Sequence, residues 1–441
     1  MGIINGQAVT NIAVTCSPPN AIGGTVSGLS TGSVTLLVNS ADPKTVSATN
    51  TSFQFPTELA TGQAYTVTVQ TQPAGQTCTV SNGTGLASSS SFNAVQVNCA
   101  TRAEYAYVAN HGGGTGGQSI SAYSVDASAS GTLTAVSISP FAAGTYPTSV
   151  AVDPTGQFLY VANDDPSNTV SAYSISAATG ALTTPPTSIS TGVGANSWAV
   201  TVAPQGFVYV ANSGIKVPGT VSAFTFDPSK GFSPITGSPS AAGLNPESVA
   251  VNPAGTFAFV ANFGSDTISV YAIAPNTGAL SPVGSPIATG VNPYDIAINP
   301  EGTFLYVANY GSANVSAYSI SSKGTLAPIA GSPFGSGAYP FSLAINPAGT
   351  FAYVANDDAP GSISAYSIDP ISGALTSISS PIATGNNPHS ITIDPSGRFA
   401  YVANFGDNTA SAYAIASSGA LTHLGDVNTG AQPYAMTIAQ P

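Results

Sequence analysis

Apolar and polar residues alternate along most of this chain in short runs, and Gly, Pro, Asn or Asp interrupts nearly every run. Residues 294–300 (Tyr-Asp-Ile-Ala-Ile-Asn-Pro) alternate and stop at proline, and Glu301-Gly302 makes a turn. Residues 303–309 alternate again, 310–313 turn, 315–320 form a third run, 321–324 turn, and 325–330 read as a weaker outer strand. Period-two alternation marks a strand with two distinct faces. Gly and Pro fall at the turns and seldom inside the runs, as a hydrogen-bonded ladder requires. No segment shows a helical period, so the chain reads as all-β.

The runs recur in a fixed order. A four-residue unit of the type Tyr-Val-Ala-Asn ends at Asn110, Asn163, Asn212, Asn262, Asn309, Asn356 and Asn404, with 47 to 53 residues between successive copies. Seven copies at this period predict seven four-stranded propeller blades. The first copy opens at Glu104 without an innermost strand before it, and residues 434–440 are an innermost strand with nothing after it. The C-terminal strand is therefore expected to pair with residues 105–110 and close the ring, which removes the open edges of the sheet. Residues 104–441 are read as a seven-bladed β-propeller.

Residues 1–101 have another rhythm. Strands are expected at 33–38, 52–55, 65–70 and 94–99, separated by Gly, Ser and Asn turns, which suggests an immunoglobulin-like β-sandwich. Cys78 and Cys99 end its last two strands, and a disulfide between them would contribute about 3 kcal/mol. Cys16 is the odd cysteine. Residues 9–16 mimic residues 92–99, and two readings stay open. They form a first strand or the remnant of a preceding module, or residues 1–16 are a linking strand that completes a neighbouring copy's sandwich. In the second reading Cys16 is unpaired or intermolecular.

The run Gly385-Asn-Asn-Pro-His-Ser-Ile-Thr-Ile-Asp-Pro-Ser-Gly-Arg-Phe-Ala-Tyr-Val-Ala-Asn404 resembles the YVTN repeat and the lactonase-type seven-bladed propellers. The resemblance covers roughly residues 104–441 and implies a central channel as the place for chemistry. The N-terminal module resembles short β-modules found in tandem in exported bacterial proteins.

Composition narrows the function classes. Charged residues are 5% of the chain, apolar residues 43%, and the net charge is −12 with six Lys and Arg in all. No basic face exists to track phosphates, so nucleic acid is not an expected partner. No run approaches the length of a membrane span. A Ser, Thr, Asn, Gly and Tyr surface tolerates close packing of copies, which favours an extracellular or cell-surface protein. The chain opens without a signal-peptide pattern, so a mature or shortened form of an exported protein is expected.

The residue six before each strand-ending proline, with Gln440 as the equivalent in the last copy, varies where its neighbours repeat: Thr148, Trp198, Glu247, Tyr294, Phe341, His389 and Tyr434. Variation at one register of a strict repeat marks a binding mouth, and Asp295 lies beside it. The blander reading is that these rings fill a channel too wide for small residues. The loops after the repeated Asn carry Asp164, Asp165, Asp266, Asp357, Asp358 and Asp407. Most read as turn formers; Asp164–Asp165 and Asp357–Asp358 are weak calcium candidates. Glu247 and His389, three blades apart, are the one acid–base pair for lactone hydrolysis. Lys216 is the one cation expected near the mouth, because Arg398 falls in a turn at the other face and Arg102 in the linker.

These features lead first to a non-enzymatic extracellular structural or interaction protein, a surface, matrix or filament subunit whose partner is itself. Two alternatives stand beside it: a glycan- or ligand-binding adhesive propeller, and a lactonase-like hydrolase acting at the central channel. No cofactor is expected.

Overall fold

The computed structural model describes every residue except 1, 2, 5, 6, 9–19, 31, 74, 89–93, 113–117, 127–129, 165–167, 184, 185, 193–195, 215 and 216. The chain divides into two units, Met1–Arg102 and Ala103–Pro441. Among the described residues all regular elements are strands, and no helix is long and apolar enough to cross a membrane.

The first unit holds two four-stranded sheets. One runs Ser52–Leu59, Asn20–Ser27, Val95–Thr101, Gln76–Ser81; the other runs Pro43–Ser47, Ser33–Val38, Ala64–Thr71, Thr84–Leu86. Alternate residues of both, among them Ile22, Leu36, Phe55, Tyr65 and Val97, form one buried cluster. Cys78 and Cys99 stand directly opposite on antiparallel neighbours and are joined by a disulfide. The strand Asn20–Ser27 is hidden in the sequence because Gly23-Gly24 breaks its alternation. A Cβ on Gly24 would lie 1.8 Å from the Val95 carbonyl oxygen, so the close approach of that neighbouring strand requires glycine. Cys16 and the strand expected at 9–16 lie outside the described residues.

The second unit is a ring of seven sheets. Its innermost strands, in ring order, are Pro433–Ala439, Pro147–Val152, Asn196–Val202, Pro246–Val251, Pro293–Ile298, Pro340–Ile345 and Pro388–Ile393, and each packs beside the next until the circle closes. Blades are numbered here in that order. The C-terminal strand pairs antiparallel with Glu104–Asn110, so the first blade is built from both ends of the unit. The outer edges are more broken than the alternation suggests. In the fifth blade Leu326–Pro328 pairs with the end of the third strand and Phe334–Gly335 with its start. Pro328 and Pro333 have no N–H to donate, so a continuous outer ladder cannot form.

The repeated residues hold the blades together. The last Asn of each second strand donates from Nδ2 to a third-strand serine, from Asn110 to Ser121 through to Asn404 to Ser411, at 2.8–3.0 Å in all seven blades. A glycine before the innermost strand leaves room for that amide: a Cβ on Gly290 would sit 2.7 Å from the Asn309 side chain. Tyrosines then link neighbouring blades. Tyr306 donates forward to the Gly373 carbonyl of the next blade at 2.8 Å, and Tyr318 donates back to the Ala288 carbonyl at 2.7 Å. Tyr107, Tyr209, Tyr353 and Tyr401 repeat the forward bond.

Candidate functional site

Each innermost strand begins with a β-bulge at the same register. Pairing slips between Pro147 and Ser149, Ser197 and Ala199, Pro246 and Ser248, Pro293 and Asp295, Pro340 and Ser342, and Pro388 and Ser390. In the first blade Asn110 pairs with Pro433 and Ala109 with Ala435, which leaves Tyr434 unpaired. The bulged residues are therefore Thr148, Trp198, Glu247, Tyr294, Phe341, His389 and Tyr434, the varied register of the sequence. A bulge re-aims a side chain out of the pleat. All seven line one cavity of about 340 Å³ in the channel, along with Asp295.

The rings at this register meet across the channel. The Tyr294 and Tyr434 hydroxyls are hydrogen-bonded at 2.6 Å. Phe341 packs on Tyr294 at 3.9 Å and on His389 at 4.0 Å between ring centres, and Trp198 meets Tyr434 edge-on at 5.9 Å. The rings thus fill much of the mouth, and their polar tips converge as well. Thr148 does not join the cluster chemically: its hydroxyl donates to the Ala162 and Ser197 carbonyls.

Two acid–base groups stand in this cluster. Glu247 is 8% exposed and accepts from the Ser213 hydroxyl at 3.2 Å, while its Oε2 is buried with no hydrogen-bond partner. Burial pushes its carboxyl up to about 8, and the Asp164 carboxylate adds to the effect. The Tyr294 and Tyr434 hydroxyls lie close enough to feel Glu247, and burial raises both above the ordinary phenol range. His389 is stacked between Phe341 and Phe405, at 4.0 and 4.2 Å. Its Nε2 lies 3.5 Å from the Asp357 carboxylate, and its Nδ1 has no partner. Glu247 and His389 line the same cavity, but each takes its own partner and they are not bonded to each other.

Asp295 plays a different part. The serines one residue past the bulge accept from the next blade's backbone, as Ser149 does from Val200, Ser342 from Ile391 and Ser390 from Met436. Asp295 stands in this serine register, accepts from Leu343 N at 2.9 Å and from the Ser248 hydroxyl at 3.0 Å, and so ties its own blade to both neighbours. Burial raises its carboxyl, and these donors oppose the rise. Among the calcium candidates, Asp357 turns to Asn387 at 2.9 Å and to His389, and Asp165 lies outside the described residues. Among the described residues no three His, Cys, Asp or Glu side chains converge as metal ligands. Lys216 also lies outside them. Arg398 stands near Glu104 and Asp394, at the other end of the innermost strands.

The sequence reading missed a second tier. The residue after each repeated Asn (His111, Ser213, Phe263, Tyr310 and Phe405 among them) surrounds the first ring. His111 lies 5.5 Å from Tyr434 and 4.9 Å from Tyr146, and Tyr310 lies 6.0 Å from Tyr294 and 5.0 Å from Tyr339. Burial and the neighbouring His389 lower the His111 imidazole from its ordinary range. The signal was present, because this position varies between blades as the bulge position does. Only its aspartates were singled out.

Comparison with known proteins places this architecture. The family model described as lactonase, seven-bladed β-propeller, matches residues 63–196, 195–291, 270–332 and 330–436. A search of curated proteins gives no match. The fold is similar to that of a candidate 6-phosphogluconolactonase from Bacteroides uniformis, at 19% identity and TM-score 0.66, over 77% of this chain and 100% of that one. A second candidate 6-phosphogluconolactonase, from Bacteroides fragilis, aligns at 19% identity and TM-score 0.65, over 77% and 98%. The periplasmic gluconolactonase of Pseudomonas aeruginosa aligns at 20% identity and TM-score 0.66, over 77% and 100%. These findings overturn the expectation of a non-enzymatic structural or filament protein. That expectation rested on low surface charge and a repeated terminal strand, features that do not distinguish a fibre subunit from an uncharged globular enzyme. The chain belongs to the lactonase family of seven-bladed β-propellers.

Proposed function

We propose that this protein is an exported lactone hydrolase that opens an uncharged lactone at the channel mouth. The observation that carries the reading is the convergence of the buried Glu247 carboxyl, the Tyr294–Tyr434 hydroxyl pair and His389, whose Nε2 lies 3.5 Å from Asp357, in one cavity. Imidazole is the commonest general base in enzymes, and stacking between Phe341 and Phe405 holds this ring. His389 accepts a proton from water as the water oxygen bonds to the acyl carbon. Of the paired hydroxyls, the one whose hydrogen is not used between Tyr294 and Tyr434 donates to the acyl oxygen as charge develops there. The bond from the acyl carbon to the ring oxygen then breaks, and protonated Glu247 gives its proton to the departing oxygen. Lactone and water become one hydroxy acid, and the proton on His389 returns through solvent to Glu247, which restores both groups with no other reactant.

An uncharged substrate follows from the basic residues. Four of the chain's six Lys and Arg belong to the propeller unit, where Lys230 and Lys323 lie in turns toward the outer strands and Arg398 is at the far end of the channel. Binding a phosphorylated sugar takes several convergent cations, and within this unit only Lys216 remains, too few for that role. Export fits the Cys78–Cys99 disulfide, since such bonds persist in oxidising compartments. We read the first unit as an immunoglobulin-like module accompanying the enzyme.

The test is δ-gluconolactone hydrolysis by the whole chain, wild type against Glu247→Gln and His389→Ala. Each substitution is expected to lower kcat by about 10²- to 10⁴-fold. Wild-type activity is expected to decline above about pH 8 as Glu247 ionises. Unchanged rates in both variants would sink the reading.

A further inference from the structure

The second tier of the mouth is organised around one feature of the backbone. The residue preceding the innermost-strand proline adopts a left-handed conformation in six blades: Tyr146, Asn245, Asn292, Tyr339, Asn387 and Gln432, at φ between 49° and 56°. Its carbonyl accepts the N–H of the residue after the repeated Asn, as Tyr339 does from Asp357 and Gln432 from His111. Asn tolerates this conformation and Gln is a small departure, whereas a bulky ring there is an outlier. Strain of this kind persists where something else requires the residue. Tyrosine occupies the position twice, and nothing in the repeat asks for it.

Each of these tyrosines extends an aromatic arm. Tyr146 packs on His111, which reaches Tyr434, and Tyr339 packs on Tyr310, which reaches Tyr294. The two arms meet at the Tyr294–Tyr434 hydroxyl pair. Together they make a track across the mouth, centred on the proposed reaction site. Its outer end is open: Tyr339 is 49% exposed. Carboxylates stand near its rings: Tyr434 feels Asp164 and Asp357, and Tyr310 feels Asp357 and Asp358. Ring faces with carboxylate acceptors beside them suit a chain of neutral pyranose rings, which offer C–H faces for stacking and hydroxyls for donation. A monosaccharide lactone would occupy the centre and leave the arms unused.

We propose that the substrate is a neutral oligosaccharide whose reducing end is oxidised to the lactone, with the lactone over Tyr294 and Tyr434 and the next sugar stacked on Tyr310 and Tyr339. This rests on the lactone-hydrolase reading for the chemistry, but the sugar track stands on its own geometry. The chemical step is the one given above.

The test compares kcat/KM for cellobionolactone with that for δ-gluconolactone in wild type, Tyr339→Ala and Tyr339→Phe, and measures cellotriose binding to each by calorimetry. Wild type is expected to favour the disaccharide lactone about tenfold, equivalent to about 1.4 kcal/mol. Tyr339→Ala is expected to lower that ratio toward one and abolish cellotriose binding, while Tyr339→Phe keeps both. An unaltered ratio in Tyr339→Ala, a preference for the aryl lactone dihydrocoumarin over cellobionolactone, or cellotriose binding that ignores Tyr339 would overturn the proposal. If no lactone is opened yet cellotriose binds through Tyr339, the hydrolase reading fails and the sugar track stands. If neither occurs, both fail.

Discussion

The blade interfaces and the channel mouth use the same seven-fold frame in opposite ways. At the interfaces one residue type answers one requirement over and over: an Asn amide reaches a Ser hydroxyl in every blade, and Tyr107, Tyr209, Tyr306, Tyr353 and Tyr401 each reach a glycine carbonyl of the next blade. At the mouth the backbone repeats, bulge for bulge, while the side chains differ in nearly every blade. Identical partners explain the first pattern, since each copy solves the same packing problem. The second has no such partner shared between blades, so its side chains are free to differ. The packing contacts are therefore repeated round the ring, whereas the proposed chemistry is gathered where the symmetry is broken.

This contrast predicts unequal responses to substitution. The largest is expected at an interface. Tyr306 is fully buried and bonded to Gly373, so Tyr306→Ala should cost about 3–5 kcal/mol in urea unfolding of the propeller. Tyr306→Phe, which only leaves the Gly373 carbonyl unpaired, should cost about 1–3 kcal/mol. Equal costs for the two would mean that the ring's volume does not matter and the interface account is wrong.

A middle-sized effect comes from a carboxyl in each region. Glu104, at the seam where the two ends of the propeller unit meet, is 3% exposed, accepts from Gln440 Nε2, and is pushed up to about 7 by burial and by Asp394. Glu247 at the mouth is pushed up to about 8. An unfolded glutamate titrates near 4.3. The folded state thus holds protons that the unfolded state releases, and stability is highest below the unfolded value. It falls as pH rises, until each carboxyl has ionised in the folded state. Each should subtract at most about 1.4 kcal/mol per pH unit between pH 5 and 7. Glu104→Gln should flatten that slope without moving the activity limb near pH 8, whereas Glu247→Gln should change both. A stability constant from pH 5 to 8 in wild type would contradict the burial of both groups.

The smallest effect has the opposite sign. Tyr339→Asn places at a strained rim position the residue that three other blades carry there. It should raise stability by about 1 kcal/mol while removing the proposed sugar contact. A loss of stability would mean that Tyr339 is there for packing.

Much of the frame was legible because repetition multiplies a weak signal. The Asn-ending strand is unremarkable once and decisive seven times, and the missing first strand with its orphan at the C-terminus implied a ring closed by its own ends. Asn20–Ser27 was not legible, because Gly23-Gly24 removes the alternation that identifies a strand and serves a contact with Val95 that only the folded sheet contains. The broken outer strands went unseen for a related reason, since Pro328 and Pro333 forbid a ladder that the local apolar pattern would otherwise support.

The mouth divides in the same way. The sequence alone determined the seven-fold repeat, the closure and the register at which side chains depart from it, because these follow from local alternation and from comparing the chain with itself. It did not determine that this register is a bulge, that Tyr294 and Tyr434 meet although 140 residues apart, or that His389 answers to Asp357 and Glu247 to Ser213. It placed Asp295 at a binding mouth, where tertiary structure makes it a strap between blades. Those outcomes depend on distances across a channel, and such distances arise only when seven separate sheets are brought around one axis.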